Sequence, residues 1–312
     1  MASSAPALPA RPVARAGGAY QRHRTTRAGY IFAAPYVLIF TIFMALPILA
    51  SFVMSFTSFG LGDLTAPLGA SFVGLANYAA LAADQTFRQA AVNTVLFTVF
   101  GVLATLALGL AAAVGLNRAL GRLRSVFRVG YYLPVVTSIV AIAVIWRFLL
   151  DPDYGLLNDL LRMVGLQSVN WLSDPNLALP TITAIVVWRN LGNAMVLFLA
   201  GLQGIPNEVH EAASIDGAGR WREFWSITWP LLHATTLFAA VMTTIGYLQI
   251  FEEPFVMTQG GPLNRTLSVS IYMYQQGFNF FHLGYASAIA YTMFVVIAAV
   301  TALQFRLLRN ET

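Results

Sequence analysis

Long apolar runs alternate with short polar joints along this chain of 312 residues. Uncharged stretches extend over residues 28–62, 89–117, 129–146, 224–251 and 266–305. A helix crosses the hydrocarbon core of a bilayer with about 20 apolar residues, so most of these stretches suffice for one crossing each. A further run, 175–207, holds a single charge, Arg189, and reads as another crossing. The pattern predicts six transmembrane helices near 29–56, 90–116, 128–149, 178–202, 229–251 and 284–305. The stretch after Thr266 is long enough to tempt a seventh. However, Tyr274-Gln275-Gln276-Gly277-Phe278-Asn279 is too polar to lie bare in lipid, where unpaired polar groups are costly. The expected fold is all-α and polytopic.

Composition agrees. The chain is 58% hydrophobic and 10% charged, too little polar surface to cover a water-soluble core of this size. It has no cysteine, so disulfides and thiolate metal sites are unavailable. All 18 basic residues are Arg, and the net charge of +5 is placed where a membrane explains it, with no nucleic-acid partner implied. Arg11, Arg15, Arg22, Arg24 and Arg27 precede the first span. Arg118, Arg122, Arg124 and Arg128 follow the second, Arg220 and Arg222 follow the fourth, and Arg306 and Arg309 follow the sixth. The alternate joints hold only Arg88, Arg162 and Arg265. The positive-inside bias then makes the Arg-rich side cytoplasmic, both termini included. Residues 1–28, rich in Ala, Pro and Arg, read as a disordered cytoplasmic tail rather than a cleavable signal. Residues 29–88 read as the first span with an external loop, 89–305 as the main membrane domain, and 306–312 as a cytoplasmic C-terminus.

The joint between spans 4 and 5, within 206–230, is the most informative segment. Pro206, Asn207 and Glu208 are helix-opening residues, Ala212 and Ala213 favour helix, and Gly217 and Gly219 end it. A two- to three-turn cytoplasmic helix is expected, with Val209, Ala212, Ala213 and Asp216 along one face. Trp221, Phe224, Trp225 and Trp229 then suit a helix lying at headgroup level, and Pro230 fits the first turn of the next helix.

Glu211-Ala212-Ala213, Asp216-Gly217-Ala218, and Ile227 followed by Pro230 resemble the EAA loop of ABC importer permeases. Thr258-Gln259-Gly260-Gly261-Pro262 is similar to the TxGGP signature of their carbohydrate branch, related to the maltose permease subunits. The resemblance spans about residues 88–305, with one span added before it. Trp229 departs from the usual Leu before the Pro, and His233 and Ala234 stand near where a further Pro is common. The resemblance implies the type I ABC importer transmembrane fold, in a bacterial inner membrane. It implies a second permease subunit, two cytoplasmic ATPase subunits that bind ATP and Mg, an external binding protein, and a sugar cargo. It also implies that Glu211, Ala212, Ala213, Asp216 and Gly217 belong to a coupling helix that meets the ATPase.

Span 4 carries Asn190 and Asn193 one turn apart, and span 5 carries Thr243 and Tyr247 at i and i+4. Amides, hydroxyls and an aromatic ring suit a sugar, and similarity to maltose-type relatives favours this set as a substrate path. Simple helix bridging is the competing reading. Arg147 and Arg189 lie near span ends, where either can snorkel or pair, and Asp151 is the expected local partner of Arg147. Glu252 and Glu253 either meet a binding protein or simply end the helix, the latter being the expectation. No phosphate-binding GxxxxGK[ST] string can exist without Lys, so ATP belongs on another chain. The four histidines are scattered and form no metal constellation. Two alternatives remain to be weighed against a non-catalytic permease subunit. An ion-gradient-driven transporter would want buried carboxylates within its spans, and an intramembrane enzyme would want a catalytic pair.

Overall fold

The computed structural model describes residues 30–66, 69–118 and 122–309. The tail expected over 1–28, the joint 119–121 and residues 310–312 lie outside the described residues. Described residues form helices joined by turns and short loops, with one isolated β-bridge, Thr57 to Phe72.

The chain divides into two units, 1–53 and 54–312. Helix α1, Tyr30–Met54, has 25 residues, or about 37 Å at 1.5 Å per residue, and all but its last residue fall in the first unit. It widens to a π-helical turn at Thr41–Ala45. Pro47, just beyond that turn, has no N–H to give the helix ladder.

In the second unit, α2 (Ala76–Ala83) leads into α3 (Gln85–Arg118), a helix of 34 residues. The third apolar run is broken. It forms α4 (Arg122–Val136) and α5 (Ile139–Leu149), whose apolar parts are bent by 98° to one another. The span expected near 128–149 is thus two helices with a break between them. Pro134 inside α4 cannot donate to the preceding turn, the Thr137 hydroxyl donates to the Leu133 carbonyl at 2.8 Å, and Ser138 leaves the helical backbone with ψ 126°. Next come α6 (Leu156–Met163), α7 (Ala178–Gln203) and α8 (Asn207–Ile215). A run over 220–231, α9, passes through a π-helical turn, Phe224–Thr228. It leads to α10 (His233–Leu248) and α11 (Glu252–Thr258). The polar stretch that argued against a seventh span forms α12 (Val269–Tyr274) and a π turn, Gln275–Asn279. The chain then runs through α13, Leu283–Arg309.

Helix α3 is turned inside out relative to a soluble helix. Asn93, Thr94, Thr98 and Thr105 are buried, whereas Val92, Val95, Val99 and Phe100 are exposed. Lipid solvates the apolar face, so the polar side chains turn inward where protein acceptors wait. Thr94 and Thr98 donate to the carbonyls of Ala90 and Thr94 on their own helix, at 2.8 and 2.7 Å. Helices α3 and α7 pack along most of their length, with α10 against both.

The two ends of α3 organise different loops. Near its start, Asn93 donates to the carbonyls of Asn264 and Leu267 at 2.7 and 2.9 Å. Near its end, Val114 and Asn117 line a small cavity with His210 and Glu223. The loop after α11 and the α8–α9 joint thus sit at opposite ends of the bundle.

Candidate functional site: a loop at one end of the bundle and a cavity within it

The joint after α7 starts with Pro206 in extended backbone, which frees Asn207 to open α8, and Glu208 lies in the first turn. Its far end is closed by a pair of backbone bonds. The Ala218 N–H donates to the Ala213 carbonyl at 2.9 Å and the Gly217 N–H to the Ser214 carbonyl at 3.1 Å. This is the Schellman pattern, which needs a left-handed residue after the cap. Gly217 supplies it with φ 74°.

Burial splits the face expected from the sequence. Ala213 is buried, and half-buried Val209 packs against the cluster around Leu202, Ile205 and Leu232. Ala212 and Asp216 instead point outward with Glu208, Glu211 and Ile215. Ile215 is 86% exposed. Among Val209, Ala212, Ala213 and Asp216, only the i, i+4 pair Val209 and Ala213 is withdrawn from solvent. The outer face that remains is acidic around one apolar side chain. Beyond it, Trp221, Trp225 and Trp229 line one edge of α9 with ring centroids 5.7 and 5.9 Å apart. All three are exposed, as amphipathic rings at an interface are. His210 and Glu223 tie α8 to α9, with Nδ1 2.6 Å from Oε1.

Asn190, Asn193, Thr243 and Tyr247, chosen from sequence, line one cavity of about 510 Å³ with Tyr132, Phe238 and Met242. Tyr247 is more embedded than a path residue needs to be. It is 2% exposed, and its hydroxyl lies 2.9 Å from the Thr105 hydroxyl. Its ring occupies the space a side chain at residue 101 would fill: a Cβ on Gly101 would stand 2.0 Å from it. Thr105, Tyr132 and Phe238 were missed by sequence reasoning, because their inward aim depends on tertiary packing.

Beside the cavity, Arg189 Nε donates to Glu253 Oε1 at 2.8 Å, with the two side chains 16% and 3% exposed. The reading of Glu253 as a mere helix end is thereby corrected. Helix α11 resumes after a short break and aims Glu253 back at α7. Removing one member of such a pair costs about 3–5 kcal/mol, because the other charge is left buried and alone. The expected Arg147–Asp151 pair is also corrected. Arg147 donates to the Val256 carbonyl at 3.3 Å, and Asp151 accepts from the N–H groups of Asp153 and Tyr154 at 2.9 and 3.0 Å.

At the other end of the bundle, Gln259 and Gly260 of the Thr258–Pro262 string adopt φ 53° and 89°. Buried Thr266 donates to the Gly261 carbonyl at 2.6 Å and lies equally close to the Thr258 hydroxyl. These bonds close the loop on itself, and Asn93 of α3 holds it through the Asn264 and Leu267 carbonyls. Nearby, Asp84 caps α3 through the Thr86 and Phe87 N–H groups at 2.8 and 3.2 Å. It also accepts from the hydroxyls of Tyr272 and Tyr285. Burial pushes its carboxyl up, but the two phenols and the backbone donors outweigh this and hold it below the usual carboxylate range.

A bundle of apolar helices around an uncharged internal cavity, with an ordered helical joint at one end, defines a membrane permease. The chain belongs to the family described as binding-protein-dependent transport system inner membrane component, whose profile matches residues 105–310. It is 38% identical over 284 residues to the probable ABC transporter permease protein YesP of Bacillus subtilis (strain 168), covering 89% of each chain. It is 35% identical to the lactose transport system permease protein LacF of Rhizobium radiobacter, covering 91% of this chain and 94% of that one. Against the arabinooligosaccharides transport system permease protein AraP of B. subtilis the identity is 34%, over 90% and 88%. The fold is also that of a chain in a crystal structure of a bacterial alginate ABC transporter in complex with alginate pentasaccharide-bound periplasmic protein. The TM-score there is 0.82 at 22% identity, covering 94% of this chain and 97% of that one. The chain is therefore an ABC importer permease subunit, an inner-membrane component of a binding-protein-dependent system. The ion-gradient alternative has no support among these relatives.

Proposed function

We propose that the chain forms one half of the translocation path of an ATP-driven importer for a neutral saccharide or polyol. Its cargo is delivered from outside by a binding protein. A second permease chain completes the path, and two cytoplasmic ATPase subunits holding ATP and Mg drive it. Both termini and the 206–230 joint face the cytoplasm in this reading. Residues 89–305 carry transport, 29–88 add the first span and its external loop, and 1–28 and 306–312 are cytoplasmic ends.

Glu211, Ala212, Ala213, Asp216 and Gly217 serve ATPase coupling. Glu211 is exposed and offers a carboxylate to an arginine of the ATPase, a charge-assisted bond. Ala212 permits close approach, Ala213 seats the helix on its own bundle, and Asp216 with Gly217 turns the chain back. Closure of the ATPase pair then moves α8 as a rigid element and tilts the spans behind it.

The observation that carries the cargo class is the chemistry of the cavity. Asn190, Asn193, Thr243 and Tyr247 line it with Tyr132 and Phe238, and no ionisable cation is among its lining residues. The adjacent Arg189 is already neutralised by Glu253. Amides and hydroxyls hydrogen-bond sugar hydroxyls, and aromatic faces stack on sugar rings. An anionic cargo would enter without a counter-charge, which is costly at this depth. Lactose and arabinooligosaccharide permeases among the relatives fit this class. The sn-glycerol-3-phosphate permease UgpA of Agrobacterium fabrum (strain C58 / ATCC 33970), 32% identical, shows that the scaffold also occurs where the named cargo is anionic. Cargo charge is therefore the property the test has to vary.

The test is purification of the complete transporter, followed by uptake into proteoliposomes of neutral sugars, polyols, uronates and sugar phosphates. A retained ATPase and uptake confined to neutral cargo are expected. Asn193→Ala should lower that uptake by about tenfold, the cost of losing one well-placed polar contact. Absence of an ATPase, or preference for an anionic cargo, overturns the reading.

A further inference from the structure

His210 and Glu223 belong neither to the outward face of α8 nor to the cavity between α7 and α10. We propose that this pair is a strut that carries displacement of α8 into α9 and the fifth span. The proposal rests on the reading of α8 as the ATPase-contacting helix.

Helix α8 has nine residues and lies between two non-helical joints. On one side Pro206 is extended; on the other, Gly217 is left-handed and Gly219 extended. Val209 packs against the bundle and Ala213 is the one buried side chain of the helix, a small apolar footprint. A push on such a helix bends the glycine turn before it moves anything beyond.

The His210–Glu223 bond bypasses that turn. It spans 13 residues of sequence with a 2.6 Å contact, the ring N–H donating to the carboxylate. The side chains are 31% and 22% exposed, sheltered enough for the contact to persist against competition from water. Glu223 closes the first turn of α9. Helical backbone then continues through Phe224–Thr228 and Trp229–Leu231 to the fully buried Leu232 and α10. Force applied at α8 therefore arrives on α9, which reaches α10 through a turn of one buried residue, Leu232.

Position supports the same role. The pair borders a cavity of about 210 Å³ with Val114 and Asn117 of α3, Leu202 of α7, and Phe224 and Thr228 of α9. The strut stands where the ends of spans 2 and 4 meet the start of the route into span 5. His210 and Glu223 are thus positioning residues, acting through the helices they join.

The test uses the complete transporter in proteoliposomes with its binding protein and cargo, read as solute imported per ATP hydrolysed. His210→Ala and Glu223→Ala should each lower that ratio by about fivefold or more, while the ATPase still co-purifies. The exchanged pair, His210→Glu with Glu223→His, should restore it to within about twofold. A structural role alone would lower complex yield and leave the ratio of the surviving complex unchanged. Single variants with the wild-type ratio overturn the proposal. So does an exchanged pair that assembles normally yet couples as poorly as the singles. Failure of the wild-type chain to retain an ATPase would instead overturn the coupling reading beneath it.

Discussion

At Gly217 the backbone sits at φ 74°, a region closed to proline, whose ring fixes φ near −65°. Gly217→Pro also removes the N–H that donates to Ser214, so α8 would lose its end while the spans stay apolar and still insert. Glu211→Ala leaves the helix intact and removes one exposed carboxylate. Both variants should insert normally and lose import by about tenfold relative to ATP hydrolysed, measured in reconstituted complexes. Normal uptake and cargo-stimulated hydrolysis in both would remove α8 from the coupling route. The glycine stop was readable from sequence because the left-handed requirement is local. Glu253 was not readable, because its partner Arg189 lies 64 residues away and only the break before α11 aims the two at each other. Asp151 misled for the opposite reason. Its spacing to Arg147 fits a helical pair, yet the chain leaves the helix at Leu150 and the carboxylate caps the turn that follows.

Among the helices, apolar length announced each crossing and hid its shape. The run at 128–149 looks continuous by hydrophobicity, and its 98° bend falls where Pro134 lacks an N–H and the Thr137 hydroxyl takes the Leu133 carbonyl. The polar stretch around Gln275 and Gln276 was legible, since lipid tolerates such side chains only when protein shelters them. Asp84 shows how three helices are held together at one end of the bundle, capping α3 while accepting from Tyr272 on α12 and Tyr285 on α13. Its carboxyl titrates below the unfolded value of about 3.9 because the folded protein stabilises the charged form. The sign follows: this stabilisation is complete above about pH 4 and is lost as pH falls through the lower, folded value. Asp84 should therefore contribute no pH dependence between about pH 5 and 8. Acid titration of the detergent-solubilised chain, followed by tyrosine fluorescence or proteolysis of the 259–268 loop, should show the contact loosening below about pH 4. Asp84→Asn should start looser at neutral pH and lose that acid step. An unchanged acid step in the variant would assign it to another group.

Across the whole molecule, transport direction depends on which loop faces which compartment, and two independent lines bear on this. Relative sidedness is geometric. Val114 and Asn117 meet the α8–α9 joint, whereas Asn93 meets the loop after α11, and these lie at opposite ends of a 34-residue helix, about 50 Å long. Absolute sidedness comes from the Arg residues grouped on the side of α8, which the positive-inside bias assigns to the cytoplasm. The absence of native cysteine makes the arrangement directly measurable, since any thiol introduced reports alone. Ser214→Cys lies on the exposed side of α8, and Leu263→Cys lies on the exposed crest of the opposite loop. In intact cells a membrane-impermeant thiol reagent should label Leu263→Cys and leave Ser214→Cys unmodified until the membrane is permeabilised. In the assembled complex, Ser214→Cys should stay slow to label even after permeabilisation, because the ATPase covers α8, and should quicken when the ATPase is stripped away. Equal labelling with and without the ATPase would leave α8 bare and the motor elsewhere. Labelling of Ser214→Cys in intact cells would invert the chain, placing its arginines outside and its acidic helix beyond the reach of any cytoplasmic ATPase.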